Sequence, residues 1–448
     1  MPVYFGTDGI RAVAGKFPLT PRAVKMLGQA LGTLLAARYK PARIILGRDT
    51  RESGIWIARS LIDGLSSAGC EVISAGIITT PGVAYITRLG FSAGIVVSAS
   101  HNPYTDNGIK IFSADGTKLS ENDELAVEAV LYDYNHQLDD EPPTTEALSI
   151  EEDNKLVDHY IEFLAEAAQR LSLKGKRIGV DCANGAATGI APQLLRRLGA
   201  EVYTIGCSPN GRNINAGCGS LHLEALSALV KAKQLDLGIA FDGDADRVLL
   251  VDATGSAVDG DKILLILAKY LKMQGKLQHN TVVATLMSNF GLERALAAHG
   301  LKLHRVAVGD KYVFDALRKY GFSLGGEQSG HVIIPAISPA GDGILTAICV
   351  LKALQELKTD FHAATEEMIS CPQMLINVNV RHKIDFSELP RVAAALADAE
   401  QKLQGSGRVL LRYSGTEMLA RVMVEGEDRS LVEQLASSLA ETIRQEIG

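Results

Sequence analysis

Three times along the chain a short, β-branched apolar run gives way to a segment with helical spacing. The runs are RIILG (residues 43–47), RIGVDC (177–182) and TVVAT (281–285). Strands alternating with helices restrict the chain to α/β layers with a largely parallel sheet. The three starts point to one architecture used three times, although no strict sequence repeat is visible. Thr20-Pro21 reads as a helix start, a capping hydroxyl followed by proline in the first turn. Val24, Leu27, Leu31 and Leu34 follow at helical spacing. Further helices are expected over 55–67, 154–171, 262–271 and 343–357, and further strands at 71–75, 94–100, 201–205, 236–241 and 248–252. After Cys371-Pro372 the pattern changes to strands at 373–380, 408–413 and 419–425 with two helices, a smaller α+β domain. The acidic, Pro-Pro-bearing stretch LDDEPPTT (138–145) reads as a linker. The expectation is three similar α/β domains with mixed, mainly parallel sheets (1–145, 146–254, 255–368) and an α+β domain (369–448) around a central cleft.

Composition narrows the function. With 47% hydrophobic and 22% charged residues over 448, the chain is ordinary globular material, neither disordered nor a disulfide-stapled mini-protein. Its net charge of −7 and lack of a basic run give no support for nucleic acid. Phosphate would have to be held by local Arg, Lys, metal or backbone N–H groups. The six cysteines form no CxxC pair, which removes the zinc and thiol-redox motifs. The longest apolar stretch, near 263–267, is too short for a bilayer, and the opening MPVYFGTDGIR lacks a signal-peptide pattern. A cytoplasmic location without membrane contact is expected.

Four motifs carry chemistry. Ser98-Ala-Ser100-His101-Asn102-Pro103 stands where a strand ends in a loop running on through Asp106-Asn107-Gly108, and such strand ends face the ligand crevice of α/β sheets. No GxSxG elbow is present, so a hydrolase triad has no support. Asp242-Gly-Asp244-Ala-Asp246-Arg247 follows an apolar strand. Its carboxylates at i, i+2 and i+4 can converge on one hard cation, for which Mg²⁺ is the natural choice. The EF-hand pattern fails at Arg247 and Ala253. Gly325-Gly326-Glu327-Gln328-Ser329-Gly330-His331 offers a flexible loop with groups suited to sugar hydroxyls and proton traffic. Arg412-Tyr413-Ser414-Gly415-Thr416-Glu417, with Arg421 downstream, has the makings of a phosphate nest but not the Walker A spacing. In this order, one per domain, the four describe a phosphosugar site.

The set resembles the α-D-phosphohexomutase superfamily, and within it the bacterial phosphoglucosamine mutases. The resemblance runs from FGTDGIR (5–11) through SASHNPYTDNGIK (98–110) and GEQSGH (326–331) to the SGTE loop (414–417). Glutamine at position 328 favours the glucosamine enzymes over the mannose and glucose enzymes, where Met is usual. The resemblance implies that Ser100 is the phosphoserine that donates and receives the phosphoryl group. It implies that Asp242, Asp244 and Asp246 hold Mg²⁺ together with that phosphate, with Arg247 beside it. Lys110 matches the general acid/base, helped by Arg11, His101 and His331. Glu327 and Ser329 would read sugar hydroxyls; Arg412, Ser414, Gly415, Thr416 and Arg421 would bind the other phosphate. The implied reaction interconverts glucosamine 6-phosphate and glucosamine 1-phosphate through a 1,6-bisphosphate, and a hexosamine or hexose 1,6-bisphosphate would be the activator. The family also suggests a homodimer. Ala12 replaces a common Gly, and Met418 stands where Pro is usual, which affects loop stiffness but no proposed ligand. The alternatives are a phosphomannomutase/phosphoglucomutase with the same mechanism, an aspartyl-phosphate phosphatase built on Asp244-Ala-Asp246-Arg-Val248, and a non-catalytic sugar-phosphate sensor.

Overall fold

The computed structural model describes residues 2–132, 134, 150–414 and 417–448. The expected linker at 138–145, and Gly415 and Thr416, lie outside the described residues. The chain divides into two compact units: Met1–Met287 with Leu303–Thr365, and Ser288–Lys302 with Glu366–Gly448.

Three mixed sheets build the first unit. One contains β1 (Phe5–Gly6), β2 (Gly9–Val13), β3 (Arg43–Arg48), β4 (Glu71–Ile77), β5 (Ala93–Val97) and β6 (Asp106–Ser113), in the order β1-β2-β6-β5-β3-β4. The next contains β7 (Arg177–Asp181), β8 (Glu201–Ile205), β9 (Leu237–Phe241), β10 (Val248–Asp252) and β11 (Ala257–Val258), in the order β11-β10-β9-β7-β8. The last contains β12 (Thr281–Thr285), β13 (Lys302–Val306), β14 (Gly325–Gly326) and β15 (Val332–Ile333), in the order β13-β12-β14-β15. One wiring recurs in all three, as β4-β3-β5-β6, β8-β7-β9-β10 and β13-β12-β14-β15. Each third strand runs parallel to the first, and each fourth strand returns antiparallel to the third. β5, β9 and β12 are buried at every residue, as apolar strands with both faces covered must be.

Local chemistry sets the element ends. Thr20 caps helix Pro21–Arg38 by accepting from the Ala23 N–H, with proline in the first turn as the sequence suggests. The run 94–100 is strand only to Val97, and Ser98 to Ser100 turn away from it. Asp106-Asn107-Gly108, expected in a loop, instead opens β6. Asn107 is buried and donates to Ser53 Oγ at 2.8 Å, so turn-forming side chains are absorbed by tertiary contacts. Helices Thr80–Thr87 and Asp310–Tyr320 and strand β13 were not anticipated.

The second unit has an antiparallel sheet of β16 (Gln373–Asn379), β17 (Gly407–Tyr413) and β18 (Leu419–Gly426), ordered β16-β18-β17. Helices Pro390–Lys402 and Arg429–Ile447 cover it, with Val392, Leu435, Leu439 and Ile443 in the core. Among the described residues no helix is long and apolar enough to cross a membrane.

One buried carboxyl supports the site from behind. Asp342 caps helix Gly343–Leu357 through the Leu345 N–H and accepts the Tyr160 hydroxyl at 2.8 Å. Gly343 N donates to Ala245 O inside the acidic loop at 2.9 Å, so the positive end of that helix backs three carboxylates. Burial raises the Asp342 carboxyl to about 6, against the pull of its hydrogen bonds. A carboxyl raised on folding stabilises fully below its unfolded value of 3.8, and the contribution is lost as pH rises through about 6. Asp342→Asn should therefore gain on the parent chain by about 3 kcal/mol across that window, read as a rising difference in melting temperature.

Candidate active site

Ser100 adopts a left-handed backbone (φ 51°), an uncommon state for a residue with a Cβ, so its surroundings must hold it there. They do so through a buried network. Asp49 follows β3 and pairs with Arg51; both are essentially inaccessible to solvent. Ser98 Oγ donates to Asp49 Oδ2 at 2.6 Å and accepts the Ser100 N–H at 3.0 Å. Arg51 donates to the carbonyls of Ser100 (3.1 Å) and Asn102 (2.6 Å). From the neighbouring domain, Asn215 Nδ2 grips the same two carbonyls at 2.9 and 3.0 Å.

The acidic loop joins β9 to β10. Ser100 Oγ donates to Asp242 Oδ2 at 2.5 Å, and His101 Nδ1 lies 3.2 Å from that hydroxyl. A Cβ on Gly243 would fall 2.6 Å from the Ser100 carbonyl, so only glycine admits the serine loop this close. Thr80, at the start of helix Thr80–Thr87, donates to Asp244 Oδ2 at 2.5 Å and fixes the Asp244 carbonyl through its N–H. Lys110, on β6, places Nζ 2.9 Å from Asp244 Oδ2, 3.1 Å from Asp246 Oδ2 and 2.9 Å from Asp8 Oδ2. Asp242, Asp244 and Asp246 could hold a metal ion: one oxygen from each lies within 4.8 Å of the others. Asp244 Oδ1 and Asp246 Oδ1 are buried with no hydrogen-bond partner among the described residues.

Charge compensation divides the carboxylates. Burial, then the charges of Asp246 and Asp244, push the Asp242 carboxyl well above its ordinary range. Burial opposes ionisation of Asp246, yet Lys110, His331 and Arg247 hold it well below that range. Burial likewise opposes the Lys110 ammonium, which Asp244, Asp246 and Asp8 nonetheless keep charged far above its usual limit. His101 is lowered to about 4 by burial and by Arg247 and Arg11, so it is a neutral imidazole. His331 goes the other way: burial is overcome by Asp246, Asp310 and Glu327, which raise it to about 9.

The sugar-loop candidates sit in the corner between β14 and β15, closed by Gly330 N to Glu327 O at 2.9 Å. Glu327 accepts the Gly309 N–H at 3.2 Å and stands beside the Ser329 hydroxyl at 3.4 Å. His331 Nδ1 lies 3.8 Å from Asp246 Oδ1, and a Cβ on Gly341 would meet its ring at 2.2 Å. Gln328 turns to the start of helix Gly260–Met273: its side-chain Nε2 donates to Asp259 Oδ2 at 3.2 Å and its backbone carbonyl accepts the Gly260 N–H. A cavity of about 790 Å³ is lined by Asp8, Arg11, Asp246, Arg247, Glu327 and Ser329, among others. The first unit thus brings together every candidate assigned to it.

In the second unit Arg412 and Arg421 face each other directly across β17 and β18. Burial, then Arg421, lowers the Arg412 guanidinium, the mark of two cations held side by side. Ser414 Oγ accepts the Glu417 N–H at 3.3 Å, and Lys383 Nζ donates to the Ser414 carbonyl at 2.6 Å.

Family models for phosphoglucomutase/phosphomannomutase match nearly the whole chain: α/β/α domain I over residues 2–137, domain II over 158–255, domain III over 259–371 and the C-terminal domain over 375–442. A curated phosphoglucosamine mutase of Solibacter usitatus is 48% identical over 445 residues, covering 99% of each chain. The chain belongs to the phosphoglucosamine mutase family. The fold matches a solved phosphoglucomutase/phosphomannomutase family protein of Burkholderia thailandensis (TM-score 0.78, 23% identity, 99% and 98% covered). It also matches the N-acetylphosphoglucosamine mutase of Aspergillus fumigatus solved with GlcNAc-6P and magnesium (TM-score 0.65, 18% identity, 99% and 96% covered).

Sequence reasoning missed several residues that build this site. Asp8 and Ser98 lay inside quoted motifs without a role, and Asp49 and Arg51 stand just past a strand end, a position that invites attention. Thr80 and Asn215 gave no signal, because their partners lie 164 and 115 residues away. Lys118 bridges Asp8 at 2.8 Å and Asp310 at 2.5 Å and gave none either. Asn215→Ala removes both hydrogen bonds from the second domain without touching the reacting groups. Its mutase kcat should fall by about 10- to 100-fold with KM little changed, the signature of a misplaced reacting atom.

Proposed function

We propose that this chain interconverts glucosamine 6-phosphate and glucosamine 1-phosphate by way of a phosphorylated Ser100. The observation that carries the reading is the 2.5 Å bond from Ser100 Oγ to Asp242 in a buried acidic loop, beside a cavity lined by sugar-suited groups. In each half-reaction the bond from phosphorus to Ser100 Oγ breaks and a bond to a sugar hydroxyl oxygen forms. The hydroxyl proton passes to a base on the chain. The resulting 1,6-bisphosphate then returns its other phosphoryl group to Ser100, and the monophosphate leaves.

Phosphoryl transfer of this kind is mostly positioning and charge stabilisation. Arg51 and Asn215 fix the serine backbone, so Oγ is aimed before substrate arrives. His101, neutral at working pH, stands 3.2 Å from that oxygen and is able to take a proton. Lys110, held as an ammonium, is in the acid form and suited to donate to the departing serine oxygen. Arg247 and Arg11 supply positive charge to the cavity, and His331 adds a third cation. Glu327 and Ser329 present acceptor and donor groups to sugar hydroxyls. On the second unit, Arg412, Arg421 and Ser414 form an anion-binding set suited to a phosphate that keeps its place. We include Gly415 and Thr416 in it on the resemblance alone.

Asp242, Asp244 and Asp246 fit Mg²⁺ as hard oxygen ligands, and the two partnerless buried oxygens support the fit. Bound there, Mg²⁺ would offset charge on the transferred phosphoryl group. The activator would be a hexosamine or hexose 1,6-bisphosphate, which can charge Ser100. The same reading places the chain in the cytoplasm, supplying glucosamine 1-phosphate for UDP-N-acetylglucosamine.

Ser100→Ala should fold normally and lose all turnover. The parent chain should carry a phosphate on Ser100 that survives hydroxylamine, unlike an acyl phosphate on aspartate. Assays with Mg²⁺ and a bisphosphate activator should favour glucosamine phosphate over glucose and mannose phosphates. Turnover by a folded Ser100→Ala protein would overturn the mechanism, and preference for glucose or mannose phosphate would overturn the substrate.

A further inference from the structure

Two thiols meet at the C-terminal ends of β7 and β8, away from the reacting groups. These strands pair in parallel with Asp181 opposite Ile205, which sets Cys182 beside Gly206 and diagonal to Cys207. Neighbouring strands lie about 4.8 Å apart, so the two backbones come within the Cα separation a disulfide needs, and Gly206 (φ 58°) breaks the alternation of faces that would keep the thiols apart. One carbonyl joins them: Ile205 O accepts the Cys182 N–H at 3.4 Å and the Cys207 thiol at 3.2 Å. The Cys182 thiol draws Cys207 below its ordinary value, and Cys207 together with burial raises Cys182. Cys182 is fully buried, whereas Cys207 is partly exposed. The pair therefore has an accessible, thiolate-prone member and a buried resolving member.

The segments that carry these cysteines also hold the reactive serine. Asn184 N donates to Gly206 O at 2.5 Å, and the Asn184 side chain ties to Ser208 N and to Asn213 O. Asn215 N donates to Ala183 O at 2.9 Å, and Asn215 Nδ2 grips the Ser100 and Asn102 carbonyls. A covalent link between residues 182 and 207 would thus act one residue from the backbone that carries Asn215.

We propose that Cys182 and Cys207 form a reversible disulfide on exposure to a peroxide, and that this bond weakens the hold on Ser100. The Cys207 thiolate attacks one peroxide oxygen; the O–O bond breaks, a sulfenic acid forms, and hydroxide leaves as water with the thiol proton. Cys182 sulfur then attacks the Cys207 sulfur, the S–O bond breaks, and the second water leaves with the Cys182 proton. Two thiols are oxidised by two electrons, and one peroxide is reduced to two waters. A small dithiol reverses the change. Cys218, whose Sγ accepts from Asn184 Nδ2 at 3.6 Å and which burial pushes up to about 11, stays a thiol. The thiol chemistry is independent of the proposed reaction, and only its effect on turnover rests on that reading.

The test treats the full chain with hydrogen peroxide, alkylates the remaining thiols under denaturing conditions and maps the peptides without reduction. One intrachain link between Cys182 and Cys207 is expected, with Cys70, Cys218, Cys349 and Cys371 alkylated. Mutase turnover should fall by about tenfold, as a displaced reacting atom would cause, and recover with dithiothreitol. Cys207→Ser should keep its basal turnover and resist peroxide. A map without the link, or a link from Cys207 to Cys218, overturns the proposal, and so does an equal loss of turnover in Cys207→Ser. A link that leaves turnover unchanged overturns the action on Ser100. The map from the parent chain decides the thiol chemistry even if the variant fails to fold. Absence of turnover before oxidation would count against the mutase reading alone.

Discussion

Three carboxylates buried within 4.8 Å of one another set the terms for the first unit. At an effective dielectric constant near 20, each such pair repels by about 3 kcal/mol when both are charged. Protein groups meet much of that demand. Lys110 reaches Asp244 and Asp246 from β6, Arg247 and His331 stand by Asp246, and the N-terminus of helix Gly343–Leu357 points into the loop. These supports come from three different sheets or their flanking helices, so the acidic loop is stable only when the domains are assembled around it. Asp244 Oδ1 and Asp246 Oδ1 keep no hydrogen-bond partner among the described residues, which leaves both lone-pair sets available to a cation.

The recurring wiring explains how one cluster collects such different chemistry. In each sheet the chain leaves the third strand and returns antiparallel on the fourth. That corner holds Ser100 in the first sheet, Asp242 to Asp246 in the second and Glu327 to His331 in the third. A buried parallel strand gives each corner a rigid base, while the corner itself is left to side chains. Equivalent corners thereby carry a left-handed serine, three carboxylates and a glycine-rich loop with Glu327 and His331. Their mutual contacts, such as Ser100 to Asp242 and His331 beside Asp246, lock the three domains in register.

The second unit works on the opposite sign of charge. Arg412 and Arg421 directly opposed across an antiparallel pair are unfavourable by themselves. Glu417, 3.5 Å from Arg421, supplies one counter-charge, and an anion could supply another.

Much of this was legible in the chain. Apolar runs bounded by turn residues gave β3, β7, β9 and β12, and the Thr20-Pro21 signal gave the first helix, because strand burial and capping are local physics. The clustered motifs pointed to Ser100, the acidic loop and the GEQSGH loop, because each corner carries its polar side chains within a few residues of one another. Asp106 to Gly108 deceived, since the preference of Asn and Gly for turns is weaker than burial of Asn107 against Ser53. The partners that make the site work were settled only by folding. Arg51, Asn215 and Thr80 act through hydrogen bonds across dozens to more than a hundred residues, and Lys110 stays a buried ammonium because Asp8, Asp244 and Asp246 surround it. A sequence records which groups are available, but the protonation and aim of each depend on distances and burial that exist only in the tertiary structure.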